Sequence, residues 1–104
     1  MDSGSLTRRI RNDLQGTFGA RLEGVVLYGS EARGEAGPDS DIDVLVLLKG
    51  PVALWEDARS AALALQSIVS DLGRAIHAVP VDAEAYAARE YGLYREASRE
   101  GIRA

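Results

Sequence analysis

The chain has 104 residues, 46% of them hydrophobic, with no cysteine and a net charge of −4 from 12 basic and 16 acidic side chains. That is one small domain, residues 1–104, with apolar material for one core. It excludes a disulfide framework, a thiolate metal site and a free-standing nucleic-acid binder whose affinity would rest on neutralising phosphates. No apolar run nears the roughly 20 residues of a membrane span. The N-terminal stretch MDSGSLTRRIRNDL lacks the apolar segment of a signal peptide, so a cytoplasmic location is expected.

In chain order, Ser3 or Ser5 is placed to cap a first helix, and Leu6, Ile10, Leu14 and Phe18 recur every four residues as one apolar stripe. Arg8, Arg9 and Arg11 lie off that stripe, as a solvated face does. GVVLYG, Gly24 to Gly29, is a β-branched run between glycines and reads as a strand. In SEARGEAGPDS a helical turn over Ser30 to Arg33 precedes bends forced by Gly34, Gly37 and Pro38. DIDVLVLL, Asp41 to Leu48, is a second strand; beyond Asp43 it is apolar on both faces, as a central strand is. Pro51 suits the first turn of a long helix with Val52, Trp55, Ala58, Ala62, Leu65, Val69 and Leu72 on its buried side, closed by Gly73. RAIHAVPV, Arg74 to Val81, reads as a third strand, and Pro80 puts it at an edge or ends it early. Asp82 caps a last helix that buries Ala85 or Tyr86, Tyr91, Tyr94 and Ala97 and ends at Gly101. Helices alternating with strands give an α/β (α+β) fold, a small mixed β-sheet of three or more strands flanked by helices.

The candidate site lies between the first two strands. Side chains alternate along a strand, so Asp41 and Asp43 share a face, roughly 6.6 Å apart along the backbone, while Ile42 and Val44 face the other way. Two carboxylates there repel unless a cation or protons intervene. Such oxygen donors suit Mg²⁺ or Mn²⁺, and Mg²⁺ takes one or two carboxylates and fills its other positions with water and phosphate. Gly29-Ser30 supplies backbone N–H groups and a hydroxyl at the start of a helical turn, a phosphate-holding arrangement, and Arg33 can neutralise phosphate charge. Gly29 to Gly34 has P-loop spacing, but Glu35-Ala36 stands where Lys-Ser/Thr must follow.

Leu27-Tyr28-Gly29-Ser30-Glu31-Ala32-Arg33-Gly34 followed by Ser40-Asp41-Ile42-Asp43-Val44 resembles the signature of the minimal nucleotidyltransferases of the DNA-polymerase-beta-like superfamily. The order of elements is similar over nearly the whole chain. The resemblance implies a nucleotidyltransferase-like fold and transfer of a nucleoside monophosphate, AMP from ATP, to a hydroxyl. Gly29, Ser30, Arg33 and Ser40 would hold the nucleoside triphosphate, and Asp41 and Asp43 would ligate the metal. It also implies a third carboxylate on the next strand. The third strand instead offers His77, either a general base or a plain surface histidine. Asp82, the nearest carboxylate, reads better as a helix cap.

Short members of this family resemble antitoxins partnered by a helical HEPN-type toxin, which implies a tyrosine on that partner as acceptor. The near-helical spacing of Tyr86, Tyr91 and Tyr94 offers either a contact surface or ordinary packing. Two further readings stay open. One is a catalytically degenerate binding module acting as antitoxin or assembly partner. The other is transfer to a small molecule, with a homo-oligomer building the pocket. Nucleic acid and membrane are not expected partners.

Overall fold

The structure, a computed structural model, describes residues 2–104. Helix α1, Ser3–Phe18, buries the expected stripe of Leu6, Ile10, Leu14 and Phe18 together with Thr7. Its cap is neither serine: Asp2 accepts from the Ser5 amide at 2.8 Å, because a carboxylate one residue before the helix reaches the third free N–H. A 3₁₀ turn, Gly19–Arg21, leads into β1, Leu22–Tyr28, which starts two residues before the expected Gly24. Strand β2 is Ile42–Leu48, α2 Leu54–Ala64, α3 Gln66–Leu72, β3 Ile76–Asp82, α4 Ala83–Ala87, α5 Gly92–Glu100 and β4 Ile102–Arg103.

The sheet order is β3-β2-β1-β4; β1 is antiparallel to both β2 and β4, and β3 is parallel to β2. The sheet is therefore mixed, and β2 is central, as its doubly apolar sequence requires. Strand β3 is an edge. Ile42 donates to the Ala75 carbonyl at 2.9 Å, so alternate β3 residues bond to β2 and the missing N–H of Pro80 falls on the outer side. The short β4 had no counterpart among the expected strands; two residues carry no periodicity to read.

Alternation along β1 and β2 divides the core. Val25, Leu27, Ile42, Val44, Val46 and Leu48 face α1, α2 and α3 with Leu6, Ile10, Leu14, Ala61, Leu65 and Ile68. Val26, Leu45 and Leu47 face the other way, against Val81, Tyr86 and Ala97. The long helix expected from Pro51 to Gly73 is two helices joined at Leu65, whose backbone (φ −98°, ψ 3°) leaves the helical range. Leu65 is buried and Val52 and Leu72 pack against the core as expected, but between Trp55 and Ala62 the helix is rotated from the expected stripe. Asp57, Ala61, Leu65 and Ile68 are buried, whereas Trp55 is 83% exposed and Ala62 is exposed. Asp57 holds a buried position because Arg21 donates two hydrogen bonds to it, at 3.1 and 2.9 Å, and the Ala53 amide a third at 3.0 Å. The helix after Asp82 is likewise two, parted at Arg89, which has a positive φ of 55°. Tyr86 is buried, but Tyr91 is exposed, stacked edge-on against Tyr94 with centroids 5.2 Å apart. Gly101 ends α5 as expected.

Candidate active site

Tyr28, Asp43 and His77 stand in one row across three strands. Tyr28 pairs with Asp43 in the antiparallel β1–β2 ladder, and Asp43 pairs with His77 in the parallel β2–β3 ladder. Asp43 precedes Leu45 and Leu47 on the sheet face that carries Tyr86 and Ala97, opposite Ile42 and Val44. Asp41 is exposed in the last loop position before β2, and Asp43 keeps 34% of its side chain exposed. The chain leaves β1 at Gly29 with φ +73°, a left-handed conformation that glycine adopts without strain. A Cβ on Gly29 would lie 3.0 Å from Asp43 Oδ2. The bare backbone at Gly29 is therefore what lets the turn lie against this carboxylate.

From Gly29 the chain makes a helical turn. Arg33 N donates to the Gly29 carbonyl at 3.2 Å and Glu35 N to the Ser30 carbonyl at 2.9 Å. Ser40 closes the following loop, its hydroxyl accepting from Gly37 N at 3.0 Å. Thus Gly29, Ser30, Asp41 and Asp43 gather at one end of the sheet, with His77 beside Asp43. His77 Nδ1 is 3.8 Å from Asp43 Oδ1, and the ring is 71% exposed. Arg33 borders this space but its guanidinium faces carboxylates, Glu35 at 2.9 Å and Glu100 at 3.9 Å. Asp82 lies at the far end of β3, where it caps α4 by accepting from Glu84 N at 2.8 Å and Ala85 N at 3.2 Å. It is not part of the site.

Three features were not legible in the sequence. Tyr28 is half-buried beside Asp43, and its hydroxyl is pushed above the usual phenol range, first by burial and then by the Asp43 charge. Glu31 is paired with Arg74 through two contacts, 3.2 and 2.9 Å, and Arg74 also donates to the Ser40 carbonyl at 2.9 Å. A cavity of about 200 Å³ opens between Tyr28, Gly29 and Arg33 on one side and Leu93, Glu96 and Glu100 of α5 on the other. The signal for the ion pair lies in opposite charges at Glu31 and Arg74, but only the β1–β2 and β2–β3 pairings together bring them side by side.

The donor set fits one divalent cation better than a closed metal cage. Two carboxylates at the mouth of a strand match the habit of Mg²⁺, which leaves its other positions to water and phosphate. Among the described residues no group of three or more His, Cys, Asp or Glu side chains converges on a point.

A Gly-Ser turn closing one strand and an Asp-x-Asp opening its neighbour, on one face of a small mixed sheet, define a nucleotidyltransferase fold. The family model described as a nucleotidyltransferase domain matches residues 7–97, and the chain belongs to that family. A relative, MJ0141 of Methanocaldococcus jannaschii, is described as a candidate protein adenylyltransferase and is 32% identical over 59 residues, which is 57% of this chain and 60% of that protein. The chain thus aligns with less than two thirds of that relative. A crystal structure of a toxin–antitoxin with AMP-PNP shares the fold at 24% identity and a TM-score of 0.61, covering 93% of this chain and 70% of that one. A mutant of the toxin–antitoxin MntA–HpeT shares it at 18% identity and a TM-score of 0.63, with the same coverage.

Proposed function

We propose that this domain transfers AMP from ATP to a hydroxyl on a protein partner, a helical HEPN-type toxin whose acceptor is a tyrosine. The observation that carries the reading is the junction at Gly29, where a Cβ would sit 3.0 Å from Asp43 Oδ2. The Gly29 turn meets the Asp43 carboxylate there, with Asp41 two residues before it, which supports a site for nucleotide transfer. The adenylyltransferase relative supports AMP as the group transferred, and the toxin–antitoxin neighbours support a protein partner.

Asp41 and Asp43 would hold Mg²⁺ or Mn²⁺, which when bound offsets triphosphate charge and polarises the reacting phosphorus. The Gly29 backbone and the Ser30 hydroxyl hold phosphate oxygens. Ser40 fixes the loop that delivers Asp41. Arg33 reaches phosphate by giving up Glu35, a modest change because both side chains are substantially exposed. The acceptor oxygen attacks the α-phosphorus, the bond to the α–β bridging oxygen breaks, and pyrophosphate leaves. The hydroxyl proton passes to Nε2 of His77, whose Nδ1 faces Asp43.

A second reading rests on His77 itself, which occupies the register position beside Asp43 where the family resemblance implies a third acid. In that reading the domain binds and blocks its partner without chemistry. ATP titration by calorimetry, with and without Mg²⁺, on wild type and Asp41→Asn/Asp43→Asn, comes first. Mg²⁺-dependent binding lost in the variant is the expected result. Incubation of the partner with ATP then reads transfer as a mass gain of one AMP, lost in Asp43→Asn. A partner neutralised equally well by the folded double variant would overturn transfer and leave the binding module.

A further inference from the structure

The site is built from two loops, Gly29 to Gly34 after β1 and Gly37 to Asp41 before β2, and among the contacts described above one side chain spans both. Arg74 Nη1 and Nη2 donate to Glu31 Oε1 and Oε2 at 3.2 and 2.9 Å, and its Nε donates to the Ser40 carbonyl at 2.9 Å. A planar guanidinium presents donors in a fixed fork, so three such contacts leave it a single placement. The backbone under Arg74 is fixed as well. Gly73 ends α3 in the left-handed conformation with its N–H on the Val69 carbonyl, and the Ala75 carbonyl accepts from Ile42 N as the first bond of the β2–β3 ladder. Arg74 and Glu31 are 14% and 16% exposed, so the pair is far better shielded than Arg33–Glu35.

We propose that Arg74 is a positioning residue that sets the distance between the phosphate-holding turn and the carboxylate pair, by gripping Glu31 on one side and the residue before Asp41 on the other. The proposal rests on the nucleotide-site reading above. It touches neither nucleotide nor metal; it holds the two halves in the register they need to act on one ligand. Its effect should therefore lie in how strongly metal and nucleotide reinforce each other. The turn alone can still hold phosphate, and the carboxylates alone can still attract a cation.

Two measurements on Arg74→Gln, Arg74→Lys and Glu31→Gln test this. The first is amide hydrogen exchange in the ligand-free protein. With Arg74→Gln, exchange at Arg33 and Gly34 in the first loop and at Gly37 and Ser40 in the second is expected to speed at least tenfold while the α1 interior is unchanged. The second is ATP affinity with and without Mg²⁺. The factor by which Mg²⁺ tightens ATP is expected to fall at least tenfold, while metal-free affinity moves less than threefold. Arg74→Lys should recover only part of the loss, since an ammonium keeps the charge but not the fork. A pair that only stabilises the fold would leave the Mg²⁺ factor intact, and that result, or unchanged exchange in both loops, overturns the proposal. If wild type binds no ATP, the nucleotide-site reading fails, and the exchange data alone then judge the grip on the two loops. If Arg74→Gln does not fold, Glu31→Gln, which loosens one arm only, decides by the same readouts.

Discussion

At Gly29 a positive φ of 73° coincides with a close approach to Asp43, and the neighbouring Gly34 shares the φ without the approach. The two glycines therefore separate backbone strain from site geometry. A side chain in the left-handed region costs roughly 1–2 kcal/mol, so Gly29→Ala and Gly34→Ala should each lower Tm by several degrees. Only Gly29→Ala also drives a methyl group against the Asp43 carboxylate. It is expected to weaken Mg²⁺-dependent ATP binding at least tenfold, with Gly34→Ala within about threefold of wild type. Calorimetry beside thermal melts checks both, and equal binding losses in the two variants would dissociate Gly29 from the site. The placement of Gly29, Ser30, Asp41 and Asp43 at adjoining strand ends was legible because its signal is local: short runs of fixed spacing. Arg74 was not, because its partners lie 43 and 34 residues away in sequence, and its role exists only once β3 is laid parallel to β2.

Each strand of the site was legible to within about two residues, since β-branched runs bounded by glycine or proline have few other folds to adopt. The helix after β2 was harder. Its alanines supply apolar positions on several faces, so a stripe reaching Leu65 through Trp55, Ala58 and Ala62 is as regular as the real one, which reaches it through Asp57 and Ala61. What turns the helix is the ion pair to Arg21, which draws Asp57 inward and leaves Trp55 in water. That orientation is open to test, because Trp55 is the single tryptophan. Its fluorescence in the native protein should peak near that of free indole in water and be quenched readily by iodide. Trp55→Ser should shift stability by no more than about 0.5 kcal/mol. A blue-shifted, shielded emission would mean that the stripe expected from the sequence, not the one in the structure, faces the core.

Across the whole molecule, the titrating groups bracket stability from both sides of neutral pH. Three hydrogen bonds from Arg21 and Ala53 hold the Asp57 carboxyl below the usual carboxylate range, the Arg21 contact foremost. The Ser5 amide and hydroxyl do the same for Asp2 at the start of α1. A carboxyl whose pKa is lower folded than unfolded adds stability that is present above the unfolded value of about 3.9 and is lost as pH falls through the folded value. Burial acts in the opposite direction on Tyr28 and Tyr94, whose hydroxyls are pushed up. Their contribution is full below about pH 10 and is lost as pH rises beyond it. Tm should therefore be nearly level from about pH 5 to pH 9 and fall on either side. Asp57→Asn keeps the shape but removes the charge from a side chain 9% exposed. It leaves Arg21 without its counter-ion, but Arg21 is 41% exposed and water screens it, so the cost is about 2 kcal/mol rather than that of a buried, uncompensated charge. For a chain of this size that is a Tm loss of roughly 10 °C at pH 7. The same variant should lose less than wild type on going from pH 5 to pH 3, because the group that takes up the proton on unfolding is gone. Thermal melts of both proteins across pH 3 to 10 read the two effects together. Parallel acid limbs would show that carboxyls other than Asp57 govern the low-pH side.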